Sequence, residues 1–541
     1  MEQSLKSIIF ETAKAEKENI KDEKSMEDRE INPELKELME YSKKINKIVE
    51  KYDPLFFVEP KGRDGVNYEE EFNLFLEKID EHLDDKKDLS DEEYLEMCPV
   101  FTYPEIEKIE IEDLEDRASK LKELEEEIKN ECKNENIVEI VFELLEIARA
   151  RIDFHKYLKE RNLEKAFECS KIIYGDIDDN LCQKANEACE QNLAFLENKA
   201  EKSELEIILE NNEFNAEDIK NYFEIAITKA GLGDSRYEVV IDSNVTNIKV
   251  SKNSPKYDHP VVLIPPDRKV NGIRLLELIA HEIGRHVTTD VYNTKQGFKG
   301  KMGKGWDAFS EGIAMKSEKE IRKTIFNGLD PSFQYNSNKI YFVLAMEKIK
   351  NGYNFAQVYK YLYDLNYKEE LHKSGYHNLK NKYESSADKN DDLKDELADL
   401  EKKNKLKAID SVKKICLRIF RGFDPKQGGM YFPKDKIYFE GEVQALEMEK
   451  VESGQELEKY LRLSKIDPKF IPYLIKMGAY TYEKGLEMAK DIAKQIWKDK
   501  GWPVDYIKDK KWYEKNTQMD RHWAYRKEFM NEDMTELKGE E

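Results

Sequence analysis

Residues 270–287 read VNGIRLLELIAHEIGRHV, and this stretch decides the fold around it. Leu276, Ile279, Ile283 and Val287 recur at three and four, so the segment is a helix with one buried face. Within it His281 and Glu282 are adjacent, and His286 follows five residues after His281. Imidazole and carboxylate are favoured zinc ligands, and a Glu beside a ligand can take a proton from a metal-activated water. The common spacing for such a pair is four residues, which puts both rings on one helix face. Five residues advance about 500°, or roughly 140° beyond one turn, and splay the rings of an ideal α-helix. The spacing therefore predicts a π-bulge, with Gly284 easing the distorted backbone. Composition alone would produce the His-Glu-His triplet roughly once in forty such chains, so a helix with two structural histidines is the competing reading.

Working outward, three short β-branched runs precede the helix: RYEVVIDS, TNIKVS and PVVLIPP, between 236 and 266. They read as two or three strands. A Gly/Lys loop at 298–306 follows, and then Ser310-Glu311-Gly312-Ile313-Ala314 opens another helix. Glu311 is the natural third ligand, because its small neighbours let two helices approach. Asp290 and Asp307 are weaker candidates. His259, on the presumed strand edge, could touch substrate. His372 and His377 repeat the five-residue spacing without a Glu and are discounted as ligands.

The rest of the chain is amphipathic helix and charge. Residues 1–50 are charged and helical in pattern, either a solvated helix or a loose tail. Tyr52 to Pro60 is an apolar strap broken by two prolines, 104–135 is charged helix, and 136–230 is amphipathic helix. Residues 370–408 form a charged helical insert, and GGMYFPKDKIYFEGE at 428–442 reads as a second β-hairpin. The fold class is α+β and mainly helical: a zincin-like active-site helix preceded by a small β-sheet, with an N-terminal helical extension. The expected division is an extension at 1–135, a catalytic region at 136–495 and a helix with charged tail at 496–541.

Composition bounds the function. The 541 residues carry 90 Lys plus Arg against 113 Asp plus Glu, a net charge of −23. That balance argues against a nucleic-acid binder. Aromatics at 11% supply core material that disordered chains lack. No apolar run suits a signal peptide or a membrane span. The six cysteines are scattered without a C-x-x-C pair, and a reducing cytoplasm is the simplest home.

The ordered blocks resemble those of the microtubule-associated tyrosine carboxypeptidases and their bacterial relatives, the QEGLA-motif proteins. HEIGRH, then Asn293 and Gln296, then EGIA carry the likeness. SKIIYGD (170–176), SRYEVVIDS (235–243), Cys416 to Gly422 and Lys434 to Gly441 extend it over roughly 140–490. Three positions depart from the family pattern: Arg285 replaces Thr, Thr289 replaces Arg, and EGIA replaces EGLA. The resemblance implies a zinc carboxypeptidase that removes a C-terminal residue, typically Tyr or Phe, from protein or peptide tails. By position, His281, His286 and Glu311 would hold Zn2+, and Glu282 would be the general base.

A carboxypeptidase needs fixed cations for the terminal carboxylate, and Arg grips one bidentately. The window 411–440 is locally basic in an acidic chain. Arg418 or Arg421 is the expected anchor, Lys434 its assistant, and Tyr438 a donor to the developing oxyanion. The alternatives are an endopeptidase or aminopeptidase on the same zinc site, and a non-catalytic zinc-containing interaction protein. Glu282 argues against the last, because a purely structural zinc has no use for it.

Overall fold

A computed structural model describes residues 33–449 and Lys465–Ile466, apart from 63–66, 84–88, 198–208, 231, 233–236, 246, 252–255, 258, 296–300, 303–305, 326–336 and 386–390. The first 32 residues, Gln296 and the tail at 496–541 therefore lie outside the described residues. The described chain is mostly helical with small sheets of two and three strands, as the α+β reading expected.

The N-terminal helices are α1 (Pro33–Val49), α2 (Tyr68–Leu83), α3 (Asp91–Met97), α4 (Pro104–Glu107), α5 (Ile111–Glu131), α6 (Glu135–Lys159), α7 (Leu163–Tyr174) and α8 (Asp179–Glu197). Helix α1 is not a solvated tail: Leu35, Leu38, Tyr41, Ile45 and Val49 are buried. These side chains share one core with α5 and α6 and with Phe309, Ile313 and Ala445 much later in the chain. The apolar positions of α1 fall at the three-and-four spacing of a buried face, which its high charge masks in composition.

The central part runs β1 (Glu213–Phe214), α9 (Ala216–Lys229), β2 (Glu238–Ile241), β3 (Lys249–Ser251), β4 (Val261–Ile264) and β5 (Val270–Asn271). Strand order is β2-β4-β3, with β2 parallel and β3 antiparallel to β4, so Val239 and Val250 both face Val262. Strand β4 is buried along its whole length, as a central strand requires. Asn271 closes β5 and caps α10 (Gly272–Leu278) by accepting from the Arg274 amide at 2.8 Å. A π-helix, Ile279–Val287, continues α10 without a break and leads into α11 (Thr288–Lys295).

Strand β6 (Lys301–Met302) precedes α12 (Trp306–Ile325), α13 (Ser337–Lys350), α14 (Phe355–Lys373), α15 (Tyr376–Ser385), α16 (Asp391–Ile419) and α17 (Lys436–Glu449); β7 (Lys465–Ile466) pairs parallel with β6. In the charged insert, α15 buries nothing, whereas α16 is buried from Asn404 onward.

The expected hairpin at 428–442 is instead a loop, a 3-10 turn at Pro433–Asp435 and the start of α17. Its aromatics favour strands in isolation. Tertiary packing wins, because α17 lies backbone-to-backbone against α12. A Cβ on Gly312 would sit 2.1 Å from the Gly441 carbonyl oxygen, and one on Gly441 would sit 1.9 Å from that of Ala308. Only two glycines allow that approach. A Lys436–Glu440 pair at 2.5 Å, one helical turn apart, supports the helix.

Candidate metal and active site

The π-helix has a physical consequence at His281 and His286. Its wider turn brings residues five apart into line, as the spacing predicted. The two rings are 4.8 Å apart between centroids, and their Nε2 atoms are 3.1 Å apart. Thr288 satisfies the widened turn by donating its hydroxyl to the Ile283 carbonyl at 2.8 Å. Behind the rings, Ile279, Ile283 and Val287 are fully buried against the sheet and α9, so the helix cannot roll.

Glu311, on the first turns of α12, meets this pair. Its Oε2 is 3.6 Å from His281 Nε2 and its Oε1 is 3.6 Å from His286 Nε2. Among the described residues, these three are the group of His, Cys, Asp or Glu side chains whose ligand atoms converge, all within 4.8 Å of one another. A tetrahedral ion bound at 2.0–2.1 Å sets its ligand atoms roughly 3.3 Å apart, so the observed 3.1 and 3.6 Å suit a zinc-sized ion. Three donors leave a fourth position open, the arrangement of a catalytic rather than a structural centre.

Charge at the centre follows from burial and proximity. Burial pushes the Glu282 carboxyl up to about 7, with Glu311 and Glu318 adding to the rise and His281 opposing it. Burial works to lower the pKa of His281, but its contacts with Glu311 and Glu318 prevail and hold it up at about 10. Glu311 falls to about 2: burial alone would raise it, and His286 and His281 outweigh that.

A cavity of about 920 Å³ is lined by these groups and also by the expected substrate residues Arg418, Arg421, Lys434 and Tyr438. They play unequal parts. The Arg418 fork is engaged by buried Asp435, with Nε donating to Oδ2 at 3.0 Å and Nη2 to Oδ1. Its guanidinium lies 4.8 Å from the Phe342 ring centroid and 5.8 Å from that of Tyr438, a stacked shelf rather than a loose hook. Arg421 faces the cavity without an ion pair within 4.0 Å among the described residues. Lys413 and Lys414 are paired elsewhere, with Glu69 at 3.3 Å and Asp410 at 2.6 Å, so the basic window is not one island.

The weaker candidates fall away. Asp290 accepts from the Tyr237 hydroxyl at 2.6 Å, and His259 lies 2.7 Å from Glu238. The Asp307 side chain lies outside the described residues. Arg285, where the family has Thr, is buried behind the centre and donates to the Ser317 hydroxyl at 2.6 Å. Glu318 and Arg274 escaped the sequence reading. Glu318 Oε1 is 2.7 Å from His281 Nδ1, and its Oε2 is 3.1 Å from Arg274 Nη1. The available signal was spacing: Glu318 is seven residues after Glu311, two turns along one helix face.

Fold and site together define a mainly helical α+β protein whose His-His-Glu centre opens into a polar, cation-rimmed cavity. The family described as microtubule-associated tyrosine carboxypeptidase matches residues 92–374, a little over half of the chain. The chain belongs to that carboxypeptidase family. The matched span contains His281, Glu282, His286 and Glu311 and ends before Arg418. No curated protein and no solved structure matches the chain.

Proposed function

We propose that the protein is a zinc-dependent carboxypeptidase that hydrolyses the last peptide bond of protein or peptide tails and releases an aromatic residue, Tyr or Phe. The observation that carries this reading is the convergence of His281, His286 and Glu311 beside Glu282, in a cavity that Arg418, Arg421 and Lys434 also line. Zinc bound by the three donors supplies Lewis acidity that makes water a nucleophile near neutral pH. Glu282, next to the candidate ligand His281 and lining the same cavity, is placed both to take a proton from that water and to return it to the leaving amine. Arg421 and Lys434 bind the terminal carboxylate, and the Arg418 shelf with Phe342 and Tyr438 receives an aromatic side chain. Tyr438 donates to the oxyanion as the carbonyl is attacked. Membership of a family described as microtubule-associated supports a cytoplasmic location.

The test is elemental analysis of the purified protein, with mass spectrometry of peptides ending in Tyr, Phe, Ala or Glu. The expected result is about one zinc per chain and loss of a single C-terminal residue. Glu282→Gln should keep the zinc and lose turnover by roughly 10²–10⁴-fold. Internal cleavage would favour an endopeptidase. Zinc without cleavage of any peptide would favour an interaction protein.

A further inference from the structure

We propose that Glu318 is a positioning residue for His281: its carboxylate bears on Nδ1, holds the ring so that Nε2 faces the metal, and is itself kept out of the metal's reach by Arg274. The inference rests on the zinc reading and adds a group that this reading does not require.

The geometry is a pair of rungs between two helices. Glu311 and Glu318 sit two turns apart on α12, and His281 lies between their carboxylates. Glu311 faces Nε2 at 3.6 Å, while Glu318 Oε1 lies 2.7 Å from Nδ1, an ion-pair contact off the line of the ring N–H. An imidazole that offers Nε2 to a metal must carry its proton on Nδ1, and an acceptor there sets both the tautomer and the ring angle.

A carboxylate so close to a metal centre could instead swing in as a fourth ligand and close the open position. Arg274 prevents it. Glu318 uses Oε1 for the imidazole and Oε2 for Arg274 Nη1 at 3.1 Å, so both oxygens are engaged. Arg274 is fixed in turn by buried Glu277 at 2.9 Å, on its own helix. The chain Glu277–Arg274–Glu318–His281 thus starts and ends on the continuous helix 272–287 and crosses once to α12. It ties the two elements that carry the ligands at a level separate from the ligands themselves.

The experiment is zinc affinity by competition with a chromophoric chelator, on the full-length chain. Its companion is the visible spectrum of the cobalt(II)-loaded protein, which reports ligand orientation and which a merely structural residue would leave unchanged. Glu318→Ala should weaken zinc by roughly 10–100-fold and shift the cobalt bands. Glu318→Gln keeps an acceptor oxygen but loses the charge, and should fall between Glu318→Ala and wild type. Arg274→Met frees Oε2 and should shift the cobalt bands toward a more highly coordinated ion. Should Glu318→Ala fold poorly, Glu318→Gln and Arg274→Met still decide. Wild-type affinity and spectrum in all three variants would overturn the inference while leaving the zinc reading intact. Failure of the wild-type protein to bind zinc would overturn the reading itself.

Discussion

His281 and His286 are five residues apart, and so are His372 and His377. In both pairs the rings come together, with centroids 4.8 Å apart in the first and 4.5 Å in the second. The backbone reaches that closeness in different ways. The first pair lies inside a continuous π-helix whose outer face is locked in the core. The second spans a helix break, where α14 ends at Lys373 and Gly375, at φ +75°, turns the chain into α15. The surroundings differ more. Glu311 reaches both rings of the first pair from one side chain that is 23% exposed. Glu197, the carboxylate nearest the second pair, lies 3.6 Å from His372, is 47% exposed and is shared with Lys368. Two close imidazoles are therefore not a centre. In the first pair a sheltered carboxylate on a neighbouring helix adds a third converging donor.

The largest effect expected from this comparison is at the ligands. Glu311→Ala or His286→Ala should weaken zinc by more than the roughly 100-fold that a supporting group costs, and abolish turnover. Chelator competition and peptide hydrolysis are the measurements. Retained zinc with either change would show that ring proximity alone suffices, against the contrast drawn above.

Next come the backbone devices that hold each pair. Gly441→Ala puts a methyl 1.9 Å from the Ala308 carbonyl, so α12 and α17 must separate. Overpacking of this kind costs roughly 1–3 kcal/mol or more, and Glu311 rides on the helix that moves. A lower urea midpoint together with reduced turnover is expected. Gly375→Ala meets nothing within 4 Å and loses only its positive φ, roughly 1 kcal/mol, with turnover unchanged. An equal loss of turnover in the two variants would remove the distinction.

The contrast also explains what the sequence could and could not disclose. The π-turn was legible because it is local: two histidines five apart on a helix come into line only on such a turn. Glu311 was legible from its small neighbours and the motif around it. Glu318 and Arg274 were not, because their meaning depends on which face of α12 lies against residues 272–287, a long-range fact. The misreading at 428–442 has the same root. Ile437, Tyr438 and Phe439 have strand propensity, and nothing nearby announces that Gly441 abuts Gly312, far back in the chain. Arg418 or Arg421 was the expected carboxylate anchor, and the sequence did not disclose that the fork of Arg418 is engaged by Asp435 seventeen residues on. Buried networks that join distant segments were the illegible part.

A third histidine limits the pH range over which the pairs can be compared. His155 is fully buried against Tyr52, Phe57 and Phe154, and burial lowers its pKa from 6.5 to about 4. The folded protein keeps this ring neutral where the unfolded chain would protonate it. Its contribution is therefore intact above pH 6.5 and is lost as pH falls toward 4, by roughly 2 kcal/mol at pH 5. Zinc release by acid would fall in the same window. Urea midpoints at pH 7 and pH 5 should drop by that margin more in wild type than in His155→Leu. Equal drops in the two proteins would show that His155 titrates as it does in the unfolded chain.

The smallest expected effect is at the second pair. His377 is exposed, and burial lowers the pKa of His372, with the neighbouring His377 adding to the fall. Neutral imidazoles can bind a transition metal, but two rings without a fixed third donor hold it far more weakly than three. Neither ring lines the cavity of the His-His-Glu centre. His372→Ala with His377→Ala should therefore leave zinc content after dialysis at about one per chain and peptide hydrolysis within about twofold of wild type. A halving of zinc from two per chain to one would show that the second pair binds metal without a sheltered carboxylate, against the contrast drawn above.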